Sequence, residues 1–169
     1  MTIRELINEI RRFHLIRRPA DAGELKKAMS LGLPDDLIEF YRMTNGAFLH
    51  QTDQFSGLAQ VGGRWWKWKI LPVSDLAPVT ETMFVNETSP LLEACRSWFA
   101  LVDVMDSDFL AIDTAPTRRG QVVDCFHEAV GVVGYTPVVA LSFSEALSKL
   151  LTSPEPFWLQ DGHVEYGRH

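Results

Sequence analysis

Residues 33–46 read LPDDLIEFYRMTNG, and this stretch decides which fold the chain is expected to adopt. Pro34 suits the first position of a helix, where a missing backbone N–H costs nothing. The two aspartates that follow complement the positive end of the helix dipole, and Asn45-Gly46 supplies a left-handed exit. The apolar residues predicted to face inward are Leu37, Ile38, Phe40 and Tyr41. The run therefore predicts one helix with a defined start and end.

Two further helices are predicted before this run. Thr2 and Glu5 have the spacing of a capping box, and an apolar stripe follows at helical intervals. That stripe consists of Ile3, Leu6, Ile7, Ile10 and Phe13. Asp21 can cap the second helix, which Gly32 would end. Its inward-facing residues are predicted to be Leu25, Ala28 and Met29.

Beyond Gly46 the pattern changes to short segments rich in Val, Ile, Phe and Trp, which is typical of strands. Alternation in RWWKWKI (64–70) predicts a core face and a solvent face. The core face would carry Trp66, Trp68 and Ile70, and the solvent face Trp65, Lys67 and Lys69. Antiparallel strands are predicted between residues 98 and 126, with turns at 106–108 and 116–120, and a short strand at 137–141.

The last third of the chain predicts a return to helix. Ser142 and Glu145 form a second capping box before a helix that ends ahead of Pro154, and Asp161-Gly162 indicates a tight hairpin. The expected fold is α+β, with two or three N-terminal helices and a central, mainly antiparallel sheet of about five to six strands. A closing C-terminal helix and a small terminal hairpin complete it. We expect residues 1–169 to form a single domain.

Composition restricts the function. A net charge of −6 disfavours direct nucleic-acid binding and favours a basic protein partner. The charged residues near the N-terminus interrupt every apolar run, so neither a signal peptide nor a membrane span is predicted. Cys95 and Cys125 are expected to be buried core residues of a protein in a reducing compartment. A soluble, cytoplasmic protein without membrane contact is the expectation.

Three segments together resemble the SUKH superfamily, which groups the yeast Smi/Knr-type cell-wall assembly regulators with bacterial toxin-immunity proteins. They are residues 24–46, 109–128 and 140–151, within a likeness that spans about 21–151. The N-terminal helix and the terminal hairpin would then be additions. The positions that match the family pattern are Leu33, Pro34, Asn45, Gly46, Asp113, Pro116, Gly120, Ser142 and Phe143.

The resemblance implies a non-enzymatic protein-binding domain without a cofactor. The first hypothesis for the function is a bacterial immunity protein that binds and neutralises a cognate toxin domain, often a nuclease. The alternative is a regulatory adaptor that binds other cellular proteins, as in cell-wall assembly regulation. The expected partner is a basic toxin domain, and the chain would be a monomer or a homodimer.

The partner surface is predicted on the solvent face of the sheet and its acidic turns. Its candidate residues are Trp65, Lys67, Asp103, Asp106, Asp108 and Glu128. An exposed negative patch would steer a basic partner, whereas ordinary solvated turn acids are the alternative. Together with Asp113, the three aspartates also invite a cation site. Their spacing is not that of an EF-hand, so no metal is predicted.

Cys125 and His127 stand two apart on a predicted strand beside Asp124, which raises the possibility of a nucleophilic pair. The apolar context VVDCF favours instead a buried cysteine and a strand-end histidine. The sequence contains no glycine-rich phosphate loop, no nucleophile elbow and no zinc motif. No catalytic residue is therefore predicted.

Overall fold

The computed structural model describes residues 1–52, 59–61, 63–105, 108–159 and 164–166. The helices are α1 (Ile3–Phe13), α2 (Ala22–Ser30), α3 (Asp35–Met43), α4 (Val79–Thr82), α5 (Leu92–Cys95) and α6 (Phe143–Thr152). The strands are β1 (Leu15–Ile16), β2 (Ala47–Thr52), β3 (Ala59–Val61), β4 (Arg64–Ile70), β5 (Trp98–Met105), β6 (Asp108–Asp113), β7 (Val122–Cys125), β8 (Pro137–Ala140) and β9 (Val164–Glu165). The expected α+β class is confirmed.

Within these residues the strands form one antiparallel sheet in the order β1-β2-β4-β5-β6-β7-β8-β9, with β3 paired to β4. The sheet has more strands than the five to six expected. The additional strands β1 and β3 contain only two or three residues each, and β9, also of two residues, lies in the predicted terminal hairpin. Segments this short cannot display an alternating pattern, so sequence periodicity does not reveal them.

Helix α1 begins with the predicted capping box: Glu5 N donates to Thr2 Oγ1 (3.3 Å), and Thr2 N donates to Glu5 Oε2 (2.7 Å). Its stripe is buried except for Phe13, which is 67% exposed, and Met29 of α2 is exposed as well. Both inward predictions are wrong because these residues lie in the last turns of their helices, past the buried part of each stripe.

Helix α1 packs into the main core of the fold. Its four buried residues are Ile3, Leu6, Ile7 and Ile10. Each fully buried apolar side chain contributes roughly 1.5–3 kcal/mol. The helix therefore contributes strongly to the stability of the fold.

Helix α3 begins one residue later than predicted, because Pro34 is its N-cap with extended backbone. The left-handed exit belongs to Gly46 (φ 100°), where a Cβ atom would lie 2.7 Å from the Ile70 carbonyl oxygen. Asn45 instead joins two elements: it donates to Glu24 Oε1 (2.8 Å) and accepts from Val73 N (2.9 Å).

The family-marking segments meet in space. Arg119 Nη2 donates to the Leu33 carbonyl (2.5 Å), and a Cβ at Gly120 would touch Pro34 at 3.4 Å. Gly120 closes the turn that contains Pro116, and its positive φ of 97° favours glycine. Asp36, at the start of α3, accepts from Ser144 N (2.8 Å) in the first turn of α6.

Only half of the capping box predicted for α6 forms. Glu145 N donates to Ser142 Oγ (3.2 Å), but the Glu145 carboxylate accepts from Leu141 N (3.0 Å) and not from Ser142 N. Phe143 is fully buried against Phe40, with ring centroids 5.1 Å apart. As predicted, the helix ends before Pro154.

Apolar clusters cover both faces of the sheet. On one face α1, α3 and α6 pack over a cluster that includes Leu110 and Ile112 of β6. On the other face, a smaller cluster around Trp98, Ala111 and Cys125 lies under the chain that contains α4 and α5. Successive residues of β6 therefore serve two different cores.

The chain after α6 differs from the predicted hairpin. Phe157–Leu159 is a 3-10 helix, and Val164–Glu165 pairs with β8. The predicted turn at Asp161-Gly162 lies outside the described residues. The aromatic residues of the first predicted arm pack onto the core, and Trp158 is only 3% exposed, so core packing competes with strand formation there.

Candidate functional site: an acidic groove at the end of the sheet

A cavity of about 160 Å³ lies where β6 and β7 meet the chain that follows α6. We call it the acidic groove. Its lining residues are Trp68, Val104, Asp108, Asp124, Phe126, Pro156, Trp158 and Leu159. The groove therefore combines two carboxyl groups with aromatic and aliphatic walls.

The strand register brings the two carboxyl groups to one face. Asp124 lies opposite Leu110, and Asp108 precedes Leu110 by two residues on the same strand. Because side chains alternate along a strand, Asp108, Leu110 and Asp124 all lie on the helix-covered side of the sheet. The sheet therefore places an acidic pair at the margin of the main core.

The aromatic walls come from β4 and from the segment after α6. The rings of Trp68 and Trp158 lie 5.6 Å apart. Trp68 Nε1 donates to the Ser153 carbonyl (3.4 Å), which ties the segment to the sheet where α6 ends. The groove therefore has strand residues on one side and the segment after α6 on the other.

Asp108 is held by the chain that leaves β7. Its Oδ1 accepts from His127 N (2.8 Å) and lies 2.7 Å from His127 Nδ1. The Asp108 side chain is only 17% exposed. It lies in β6 and bonds across to His127, so the predicted turn at 106–108 extends one residue too far.

Asp124 is the more deeply buried of the two, at 5% exposure. Burial, and then the charge of Asp108, raise the pKa of Asp124 to about 7, although a side-chain hydrogen bond from Trp158 opposes the shift. Within the described part of the chain, no ion pair joins Asp124 to a basic residue. A positive charge placed in the groove would stabilise its ionised form.

Apolar side chains flank these carboxyl groups at the surface. Phe126 is 38% exposed and Leu159 is 68% exposed, and both line the groove. Exposed apolar residues that adjoin polar groups often mark contact surfaces between proteins. The groove is therefore suited to bind a partner that presents both a cation and an apolar patch.

The other predicted partner-binding residues lie apart from the groove or beside it. Lys67 is engaged within the chain, since its Nζ lies 2.7 Å from Glu155 Oε1. Trp65 and Asp103 are half-buried and have interactions of their own. Asp106 lies outside the described residues. Glu128 is 74% exposed beside His127, and its carboxylate is 4.0 Å from the imidazole.

The tryptophan strand partly follows its predicted alternation. Trp66 and Trp68 are buried as expected, but Trp66 packs near Phe48, with ring centroids 6.3 Å apart, and away from Trp158. Trp65 is not the exposed aromatic that was expected. Pairing of β4 with β2 and with β3 covers this part of the strand, which reduces the exposure of a nominal solvent face.

Asp113 has the predicted structural role at the start of its turn. Five groups donate to its carboxylate: Ser97 Oγ (2.8 Å), Ala115 N (2.8 Å), Trp98 Nε1 (3.2 Å), Arg118 Nε (3.2 Å) and Tyr166 Oη (2.6 Å). It lies at the opposite end of β6 from Asp108. Among the described residues, no three His, Cys, Asp or Glu side chains gather in a way that could hold a metal ion.

The Cys125–His127 pair does not share a face. Cys125 is fully buried in the smaller cluster, whereas His127 lies beyond the end of β7 and contacts Asp108. Burial and the charge of Asp124 raise the pKa of the Cys125 thiol well above its usual range. The thiol therefore stays protonated and is a poor nucleophile.

Sequence reasoning gave no partner-binding role to Asp124 or Trp158. One signal for Asp124 was available, because in QVVDCF the aspartate alternates with Val122 and therefore faces the core. An acid at a core-facing strand position requires an explanation. Trp158 gave no such signal, since only tertiary packing brings it over the sheet.

These features define an α+β protein in which helices cover one face of an antiparallel sheet and an acidic groove opens at its margin. The chain belongs to the SMI1/KNR4 family (SUKH-1), whose model matches residues 19–149. This confirms the resemblance drawn from the three segments. The chain is also similar to "Immunity protein YokJ" of Bacillus subtilis (strain 168), with 26% identity over 144 residues, 80% of this chain and 75% of the relative.

The helices are short compared with the thickness of a bilayer. A membrane-spanning helix needs about 20 predominantly apolar residues. In the described ranges, every helix falls short of the length and apolar character required for a span.

Proposed function

We propose that this chain is an immunity protein that acts without catalysis, by binding a toxin domain in the cytoplasm of the cell that produces both. Membership of the SUKH-1 family and the similarity to a protein named as an immunity protein support this role. The bound chain would cover the toxin's working surface, so that toxicity is lost while the complex persists.

The observation that carries the proposal is the acidic groove. It places two carboxyl groups beside exposed Phe126 and Leu159, in a chain of net charge −6. Charge complementarity would steer a basic toxin domain to this margin, and the apolar rim would add contact area. Toxin domains that act on nucleic acids require basic surfaces, so this class of partner fits the groove.

Co-expression provides the test. The probe is the C-terminal domain of the product of the adjacent upstream gene, produced in a heterologous host with and without this chain. We expect the domain alone to stop growth, the chain to restore it, and the two to elute as one complex on gel filtration. Growth arrest that persists in the presence of the folded chain would contradict the proposal.

Two charge variants locate the contact. Asp124→Asn removes a carboxylate from the groove, whereas Glu87→Gln makes the same change at an exposed residue that lines a separate surface depression with Val85 and Leu92. Protection should be lost with Asp124→Asn and retained with Glu87→Gln. Equal protection by both variants would remove the groove from the contact.

A further inference from the structure

We propose that the acidic groove is a socket for one arginine side chain of the partner, held by the carboxyl groups of Asp108 and Asp124 beside the ring of Phe126. This inference rests on the proposed function, because it assigns the group that the partner contributes. It makes the socket the centre of the interface and Phe126 and Leu159 its rim.

The size of the cavity is the first argument. A water molecule needs only about 10–15 Å³ of such space, and the groove offers about 160 Å³. It can therefore receive a group of several atoms. The exposure of Phe126 and Leu159 shows that the groove reaches the surface, where a partner side chain could enter.

The chain itself shows how a buried aspartate is satisfied when its partner is internal. Asp113 receives the Arg118 guanidinium at 3.2 Å and four further donors. Asp124 is nearly as buried but has no basic partner in the described residues. A guanidinium supplied by another protein would form with Asp124 the same kind of charge-assisted hydrogen bond that Arg118 forms with Asp113.

The walls select arginine over lysine. A guanidinium is planar, stacks on aromatic rings and loses less hydration than an ammonium group when it is buried. The partly exposed ring of Phe126 lies beside the acids, and the buried indoles of Trp68 and Trp158 close the floor of the groove. A lysine ammonium would gain the charge interaction but less from the rings.

Occupancy of the socket should depend on pH. Among the described residues that line the groove, the titratable groups are Asp108 and Asp124, and His127 contacts Asp108 from the chain after β7. Since the pKa of Asp124 lies at about 7, a cation should bind about tenfold more tightly at pH 8 than at pH 6.

The socket can be tested without the toxin. The full chain, labelled with ¹⁵N at its tryptophan indoles, is titrated with Nα-acetyl-arginine amide at pH 8 and followed by NMR. We expect a saturable shift of the Trp158 indole N–H in the millimolar range. The matched citrulline amide, which has the same shape but no charge, should give no saturable shift.

Variants and a second cation sharpen the result. Asp124→Asn and Asp108→Asn should each weaken arginine binding at least fivefold, and Glu87→Gln should leave it unchanged. Equal binding of citrulline, or no saturable shift at all, would overturn the socket. Tighter binding of the lysine amide would overturn the preference for arginine.

Failure of this inference is distinguishable from failure of the proposed function. A chain that protects against the toxin but ignores the arginine amide lacks the socket, yet is still an immunity protein. A chain that binds the amide but does not relieve growth arrest has the socket and another role.

Discussion

Two buried aspartates on neighbouring strands have opposite environments. Asp113 of β6 faces the smaller cluster, where five donors surround its carboxylate. Asp124 of β7 faces the helix-covered side, where Trp158 gives it a side-chain hydrogen bond and Asp108 adds a like charge. Among the described residues, one carboxylate has a basic partner and the other does not.

This difference in environment indicates different roles: Asp113 stabilises the fold, and Asp124 belongs to the proposed binding site. A buried charge that the chain itself pairs fixes local geometry, and its loss leaves the partner groups unsatisfied. A buried acid without a cation destabilises the free protein, and such costs concentrate at binding and catalytic sites. Asp113 accordingly marks the fold, and Asp124 marks the proposed contact.

The largest expected effect is at Asp113. Asp113→Ala should lower the free energy of unfolding by about 3–5 kcal/mol, because five buried or partly buried donors lose their acceptor. Urea denaturation followed by tryptophan fluorescence measures this. A loss below about 1 kcal/mol would mean that Asp113 is not the structural counterpart of Asp124.

The opposite sign is expected at Asp124. Its folded pKa of about 7 lies above the unfolded value, so the stabilising protonation is lost as pH rises from about 4 to 7. Asp124→Asn removes this loss and should raise the free energy of unfolding at pH 8 by about 2 kcal/mol. The same variant should show little gain at pH 4, and equal gains at both pH values would contradict the burial account.

A histidine pair changes stability with pH in the opposite direction to Asp124. Burial and the neighbouring His50 lower the pKa of His14 to about 4, and the two rings lie 5.0 Å apart. Protonation therefore destabilises the fold as pH falls from about 6.5 to 4, in the same range where protonation of Asp124 stabilises it. After allowance for solvent screening, His14→Gln should reduce this acid loss by about 1 kcal/mol. An unchanged acid limb of the stability curve would show that His14 does not contribute.

The sequence pattern predicted the structural role of Asp113 but not the role of Asp124. The turn TAPTRRG and the matching family pattern pointed to Asp113, because turn chemistry is local. The contacts of Asp124 depend on Leu110 across the strand register and on Trp158, 34 positions further along the chain. Periodicity can show that Asp124 faces the core, but it cannot show what covers it.

In the helices and on the surface, too, features set by nearby residues were predictable and features set by tertiary contacts were not. The caps at Thr2 and Asp21 were readable because a capping box needs only residues three apart. Asp108 was placed in a turn because a strand-end acid and a turn acid have the same local sequence signature. Its hydrogen bonds to His127 span 19 positions and are fixed only by strand pairing.

The smallest expected effect is at Glu128, beside the groove. Glu128 is 74% exposed, so Glu128→Gln should weaken toxin association no more than about threefold, mainly through the on-rate. Stopped-flow measurements at two salt concentrations would show this, with the difference fading at high salt. A salt-independent loss of tenfold or more would place Glu128 within the contact itself.

The most direct test of the central claim is the affinity of the upstream toxin domain for Asp124→Asn, measured by calorimetry beside Glu87→Gln. Loss of one member of a buried charge pair at an interface costs roughly 2–5 kcal/mol. We predict an affinity loss on the order of 100-fold for Asp124→Asn in a protein that is more stable than its parent at pH 8, and no loss for Glu87→Gln. Wild-type affinity in Asp124→Asn would contradict the assignment of the acidic groove as the binding site.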